Sequence, residues 1–314
     1  MADDPFIRDF DPPVGLAQKL VPGLRRIVAP NASAMTFTGT NTYVLGTGQL
    51  AVIDPGPDDD AHLSAILQTP NDNPRDISHI FVTHSHVDHS PLSRRLAKLT
   101  GAPVLAFGNS QAGRSPAMAK FAEGRTLGGG EGVDPDFQPD ICLADGEAIK
   151  GQGWTLTTIT TPGHFCNHLC FAWEEENAVF SGDHVMSCST TMVSPPDGDL
   201  SAFMRSLDKM AVRTQDRTYY PGHGAPLADP HAMIAHQRTH RKMREKQILD
   251  QLSRGPRSIW QLTEAIYTEI PKALMPAASR NVLAHLLDLM GRDMVTTADI
   301  HDANAKFAQV DGGG

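Results

Sequence analysis

Apolar residues in this chain fall in short runs that stop at polar, Gly or Pro positions. Leu50 to Ile53, Ile77 to Val82, Trp154 to Thr160, Asn167 to Trp173 and the stretch beginning at Ala178 have the length and composition of strands. Asp59 to Gln68, Leu92 to Leu99 and Leu200 to Ala211 carry the longer period of helices. Short strands dominate to about residue 55, and from there helices alternate with strands. That alternation predicts an α/β chain in which helices cover sheets.

The pattern changes after Pro230. His236 to Leu252 reads as a charged helix, and Ser258-x-x-Gln261 as a capping box opening a second helix, with Ile259, Leu262 and Ile266 at helical spacing. A third carries Val282, Leu283, Leu286, Leu287 and Met290 and is expected to stop at Gly291. Met294 to Thr297 and Lys306 to Val310 read as two short strands around Asp302-Ala303-Asn304. Three helices and a hairpin form a winged-helix plan. A length of 314 residues favours two domains, taken as 1–235 and 236–314. Residues 108–138, with repeated Pro and the run Gly128-Gly129-Gly130-Glu131-Gly132, interrupt the first domain as a surface insertion or a lid.

Composition excludes several classes. The net charge is −9, with no long single-sign run, no 18-residue apolar stretch and no signal-peptide pattern, so no membrane partner and a cytoplasmic location are expected. Cys142, Cys166, Cys170 and Cys188 are too scattered for a disulfide framework or a zinc ribbon and are expected as reduced thiols. From His236 onward there are 11 Lys and Arg against 9 Asp and Glu (+2), leaving 16 against 27 (−11) for the body. No basic stripe with interleaved aromatics is present. Arg280, Asn281 and His285 are the contacts the third helix offers to a nucleic acid, and packing or dimerisation is the favoured role of the module.

The chemistry concentrates in His84-Ser85-His86-Val87-Asp88-His89, directly after the run ending at Val82 and Thr83. Imidazole nitrogen and carboxylate oxygen suit zinc and other first-row metals. Three distant segments supply further candidates at strand ends: Thr161-Pro162-Gly163-His164, Phe180-Ser181-Gly182-Asp183 and Tyr220-Pro221-Gly222-His223. Two divalent ions roughly 3.5–4 Å apart acidify a shared water to near neutrality, so metal-assisted hydrolysis is the expected reaction class.

With these motifs the chain resembles the metallo-beta-lactamase superfamily over roughly residues 20 to 230. The resemblance implies a four-layer αββα sandwich and two zinc ions per chain, iron or manganese remaining open. It places His84, His86 and His164 on the first metal, Asp88, His89 and His223 on the second, and Asp183 between them. A metal-bridging hydroxide would be the nucleophile, with Asp88 the candidate catalytic residue. An aspartate at the position of Asp54 is in this family a hydrogen-bond partner of the first histidine motif. His168 follows His164 by four residues but precedes a strand, so helical ligand spacing does not apply; a structural histidine and a contact to the site both stand.

The C-terminal module narrows the resemblance to the beta-lactamase-like protein 2 subfamily, metallo-beta-lactamase domain plus winged helix. This implies an endoribonuclease acting on single-stranded RNA; the alternative is a small-molecule hydrolase of a thioester, lactone or beta-lactam, its winged helix serving structure or a homodimer. Substrate choice is expected in residues 36–42, 108–138 and 186–192.

Overall fold

The computed structural model describes residues 5–69, 74–124 and 129–310. Residues 125–128, and with them Gly128 of the glycine run, lie outside the described residues. The strands and helices of the first half are β1 (Gln18–Val21), β2 (Leu24–Val28), β3 (Asn41–Leu45), β4 (Leu50–Ile53), α1 (Asp60–Leu67), β5 (Ile77–Phe81), α2 (Leu92–Thr100), β6 (Val104–Ala106), α3 (Pro116–Ala122) and β7 (Ile141–Cys142). Then come β8 (Ala148–Gly151), β9 (Trp154–Thr160), β10 (Leu169–Trp173), β11 (Ala178–Gly182), α4 (Leu200–Ala211) and β12 (Thr218–Pro221). The C-terminal elements are α5 (Pro230–Leu252), β13 (Arg257–Ser258), α6 (Ile259–Ile266), α7 (Met275–Gly291), β14 (Val295–Thr297) and β15 (Lys306–Gln309).

β1 to β7 form one sheet in chain order, antiparallel as far as β4 and parallel from β4 to β7. The second sheet runs β12-β11-β10-β9-β8, with β11 and β12 parallel. Side chains on a strand alternate between faces, and here both faces of both sheets are covered. Ile53, Phe81, Leu156, Phe171 and Phe180 meet between the sheets. Val52, Ile80 and Val82 turn the other way onto Leu63 and Ile66 of α1 and Leu92 and Leu96 of α2. Val179 and Tyr219 turn outward onto Phe203 and Leu207 of α4 and Met233 and Ile234 of α5. The order of layers is helix, sheet, sheet, helix.

The C-terminal unit has its own core of Ile248, Leu252, Leu262, Val282, Leu286, Val295 and Phe307. Its sheet has three strands, β13-β15-β14, because Arg257 and Ser258 add to the wing hairpin. Ser258 caps α6 reciprocally with Gln261, as its sequence requires.

Two local expectations differ from the fold. α5 starts at Pro230 rather than His236, because the Asp229 side chain accepts the Ala232 N–H and proline at the first turn has no N–H to leave unpaired. Gly291 is the last residue of α7, and the left-handed residue that ends it is Asp293, at φ 56°. Residues 108–138, expected as a surface insertion or a lid, contain α3, capped by Ser115, and, beyond the undescribed residues 125–128, a strap in which Val87 N–H bonds the Gly132 carbonyl and Asp134 N–H the Ser85 carbonyl.

Candidate metal centre

The strands that carry the motifs end on one edge of the sandwich. β4 and β5 run parallel in the first sheet; β9, β11 and β12 share a direction in the second. Leu169 N–H to the Thr83 carbonyl (2.7 Å) and Asn41 N–H to the Gly222 carbonyl (2.7 Å) tie the two edges together. All seven expected side chains converge there. His84, His86 and His164 offer nitrogens within 4.8 Å of one another, as do the ligand atoms of Asp88, His89 and His223 and those of His84, His89 and Asp183.

The outward-facing hydrogen bonds of the histidines decide what points inward. Thr83 Oγ1 donates to Asp54 Oδ2 (2.8 Å) and so accepts from His84 Nδ1 (3.0 Å). His164 Nδ1 donates to the Met192 carbonyl (2.7 Å), His223 Nδ1 to the Gly39 carbonyl (3.3 Å) and His89 Nδ1 to Asp54 Oδ2 (3.0 Å). In a neutral imidazole a proton on Nδ1 leaves a lone pair on Nε2, and the Nε2 atoms of His84 and His164 face the centre in this way, while those of His89 and His223 face the carboxylates of Asp88 and Asp183. His86 Nδ1 lies 2.9 Å from His84 Nε2 and 3.1 Å from His164 Nε2, and it has at most one proton to give. At least one lone pair there has no proton to accept.

Asp183 stands between the two groups. Its Oδ1 is 3.6 Å from His89 Nε2, and its Oδ2 is 3.6 Å from His164 Nε2 and 3.4 Å from His223 Nε2. Oδ1 is buried without a hydrogen-bond partner among the described residues. A buried carboxylate oxygen and inward lone pairs are costly alone and are what divalent cations use. The residues therefore fit two metal ions.

Charge divides between the groups. Burial, then the His164 imidazole, presses His86 down to about 3, and burial likewise lowers His84 and His164, so these three are neutral donors. Burial also opposes a charge on His223, but Asp183 and Asp88 outweigh it and hold His223 up to about 10. The Asp88 and Asp183 carboxyls stay ionised well below the usual carboxylate range, the neighbouring His89 and His223 overcoming the effect of burial.

The supporting residues have definite contacts. Asp54 accepts from Thr83 N–H (2.7 Å), Thr83 Oγ1 and His89, linking β4 to the motif loop. His168 is buried, with Nδ1 against Thr161 Oγ1 (2.8 Å) and Nε2 accepting the Asp183 N–H (3.1 Å), so of its two readings it serves the site through the backbone of Asp183. Thr191 Oγ1 donates to the carbonyls of Asp183 (2.8 Å) and His184 (3.0 Å), and Thr40 Oγ1 to Asp88 Oδ2 (3.2 Å). Sequence reasoning did not single out Thr40 or Thr83, which act as single hydroxyls in loops and carry no motif. The four thiols are free; burial pushes Cys166 and Cys188 up to about 11 and Cys170 to about 12, and Cys142 is exposed.

A cavity of about 320 Å³ opens onto His86, Asp88, His164, Asp183 and His223. Met35, Val87 and Met192 form apolar parts of its wall; Glu131 and Asp197 add carboxylates. Arg280 of α7 holds Glu131 (2.5 Å) and Arg114 holds Asp197 (2.6 Å). Asn281 accepts the Val193 N–H (3.2 Å), so Arg280 and Asn281 are turned onto the first unit, while His285 is buried near His240, Arg241 and Arg244 of α5; none of the three is presented freely to a nucleic acid.

Comparison with known proteins gives the same picture. A family model described as the metallo-beta-lactamase superfamily matches residues 35–223, and one described as the beta-lactamase associated winged helix domain matches 258–302. A beta-lactamase-like protein 2 homolog of Drosophila melanogaster is 33% identical over 282 residues, 86% of this chain and 89% of that protein. An atrochrysone carboxyl ACP thioesterase of Aspergillus aculeatus is 33% identical over 238 residues, 76% of this chain and 67% of the fungal one. The crystal structure of a metallo-beta-lactamase family protein from Thermus thermophilus superposes with a TM-score of 0.75 at 26% identity, covering 93% of this chain and all of that one.

Proposed function

Because the chain belongs to the metallo-beta-lactamase superfamily, and is a metal-dependent hydrolase of that superfamily with a C-terminal winged helix, we propose that its clustered side chains hold two zinc ions. His84, His86 and His164 take the first, Asp88, His89 and His223 the second, with Asp183 shared. The observation that carries this reading is the buried Asp183 carboxylate, its Oδ1 without a hydrogen bond among the described residues, standing among the imidazole nitrogens of both groups. Zinc bound there supplies Lewis acidity and an acidified water near neutral pH. The chain contributes the rest. Thr83, Asp54, Met192 and Gly39 fix the ring protons outward, and Asp183 is anchored through its N–H and carbonyl. Asp88, whose side chain is 20% exposed at the cavity while His89 is fully covered, is the proposed catalytic residue: its ionised carboxylate is placed to accept a hydrogen bond from the attacking water and orient it.

The cavity favours an ester or thioester of an apolar acyl group. Met35, Val87 and Met192 offer it apolar surface, and Glu131 and Asp197 at the same wall oppose a polyanion. Several similar fungal proteins are named as ACP thioesterases, which accords with this. Single-stranded RNA is the second reading, favoured by Trp260, 48% exposed beside Arg280 and Ser279, where a base could stack. Residues 1–235 are assigned to the catalytic unit and 236–314 to the winged-helix-like unit, with α5 running across that boundary. A cytoplasmic location belongs to the same proposal, supported by the four free thiols; no helix of the described residues is long and apolar enough to cross a membrane.

The deciding experiment offers zinc-loaded protein an acyl pantetheine thioester, an ester, a lactone, a beta-lactam and a single-stranded RNA, with Asp88→Ala as control. Thioester or ester turnover lost in the variant supports the acyl reading. RNA cleavage lost in the variant would transfer the assignment to the nuclease, and turnover retained by the variant would refute the role of Asp88.

A further inference from the structure

Three consecutive residues beside the metal centre are held by three different partners. The Thr191 carbonyl accepts from Arg241 Nη2 of α5. The Met192 carbonyl accepts from His164 Nδ1 at 2.7 Å. Val193 N–H donates to Asn281 Oδ1 of α7 at 3.2 Å, and the same oxygen accepts from Arg241 Nη1 at 3.0 Å. The one backbone atom that orients His164 thus lies between two points fixed by a coupled Arg–Asn pair. Thr191 also bonds the Asp183 carbonyl, so the clamped segment touches a second proposed ligand.

Arg241 is an expensive way to hold a loop. It is 3% exposed, its guanidinium lies 5.3 Å from the Phe203 ring centroid, and no carboxylate pairs with it among the described residues. Burial lowers its pKa to about 10, the nearby Tyr267 opposing this and Arg244 adding to it. A buried cation whose partners are a carbonyl and an amide oxygen gives up hydration without the attraction of an opposite charge. Its planar fork, with two donors aimed at two fixed acceptors, sets direction as well as distance.

We propose that Arg241 and Asn281 are positioning residues for His164: they fix the Met192 carbonyl, and with it the tautomer and ring plane of His164, from the winged-helix side. The inference rests on His164 being a metal ligand. It makes the winged helix part of the machinery of the first unit. Partners that orient a ligating histidine typically change metal affinity by about 10–100-fold when removed, and the Met192 carbonyl should behave as one whose own position is adjustable.

The test compares Asn281→Leu, which removes the shared acceptor, with Asn281→Asp, which keeps it, and with Ser201→Ala. Ser201 bonds Asp288 across the contact of α4 with α7, touching neither His164 nor residues 191–193. Zinc affinity is read by chelator competition, and ligand geometry by the visible spectrum of the cobalt-substituted protein. Asn281→Leu is expected to weaken one of the two zinc sites about ten-fold or more and to shift the cobalt bands. Asn281→Asp should stay within about two-fold of the parent, a small part of that range. Ser201→Ala should lower the melting temperature and move neither zinc affinity nor spectrum. Unchanged affinity and spectrum in Asn281→Leu would overturn the proposal, as would equal shifts in Ser201→Ala. If Asn281→Leu does not fold, Arg241→Lys, which keeps the charge and loses the fork, is read by the same criteria. A parent protein that binds no zinc would refute the metal reading itself.

Discussion

His168 Nε2 accepts the backbone N–H of Asp183 at 3.1 Å, while the opposite ring nitrogen is held by Thr161 Oγ1. Burial, and then the neighbouring His184, holds this imidazole neutral, well below its usual range, which keeps Nε2 an acceptor. Replacing it by Leu strands a buried N–H, at a cost of about 1–3 kcal/mol, and frees the Asp183 carboxylate to turn. His168→Leu should lose roughly 10–100-fold in zinc affinity by calorimetric titration, with part of the loss recovered in His168→Gln. Parent-like affinity in the Leu variant would refute the role.

Gly222 leaves room for the carboxylate. A Cβ at this position would collide with Asp183 Oδ1 and lie 2.7 Å from His89 Cε1. Its own N–H is committed to the Gly182 carbonyl (2.8 Å) and its carbonyl to Asn41, so the backbone cannot retreat without breaking the link between the loops after β11 and β12 or the link between the sheets. Gly222→Ala should bind less than half the zinc of the parent by elemental analysis, consistent with the effects of roughly 10-fold or more seen when ligand supports are disturbed. A full complement of zinc and unchanged turnover would contradict this.

Much of the fold was legible where one physical signal dominated. β9 was read at its observed ends, Trp154 to Thr160, because Leu156 and Ile159 alternate between two separate cores. α4 was equally clear, with Phe203, Leu207 and Met210 on one face. The two-residue strands β7 and β13 were not, since a pair of residues has no period. α3 lies in a Gly- and Pro-rich stretch whose composition masked its Ser115-Pro116 start. The seven clustered side chains were visible because their types and turn residues form motifs. Arg241 and Asn281 were not visible as neighbours of the site, because each acts through a partner distant in sequence, Thr191 and Val193, whereas Glu131 at the cavity falls in the 108–138 stretch where a lid was one reading.

His62 predicts a pH dependence outside the metal centre. It is fully covered, bonded at Nε2 to Thr42 Oγ1 (2.8 Å), and burial presses it down to about 4 against the opposing carboxylate of Asp59. An unfolded histidine titrates near 6.5, so below that pH the unfolded chain takes up a proton that the folded chain refuses until about pH 4. The stability tied to neutral His62 is complete above pH 6.5 and declines through this window by roughly 3 kcal/mol. Urea midpoints of the parent should therefore fall faster with acid than those of His62→Gln. A gap between them that does not change with pH would disprove it.

Metal removal should be felt as lost stability. Ligands that bind only the folded state stabilise it by about 2.7 kcal/mol at 100 times the dissociation constant. Chelation should lower the melting temperature of the parent by several degrees, reversed by added zinc, while Asp88→Ala should respond less because one of its ligands is gone. A melting temperature indifferent to chelator and zinc would argue against bound metal.

α5 spends its first turns on Met233 and Ile234 in the core of the first unit and its last on Ile248 and Leu252 in that of the second. At about 1.5 Å per residue, its 23 residues make a rod roughly 34 Å long. Ala284 of α7 packs into the same first core. With one helix anchored in both cores, the two units are expected to unfold together. Amides at the middle of this rod should open to deuterium only when the whole molecule does, and separating the units near residue 235 would cut through the helix that both cores share.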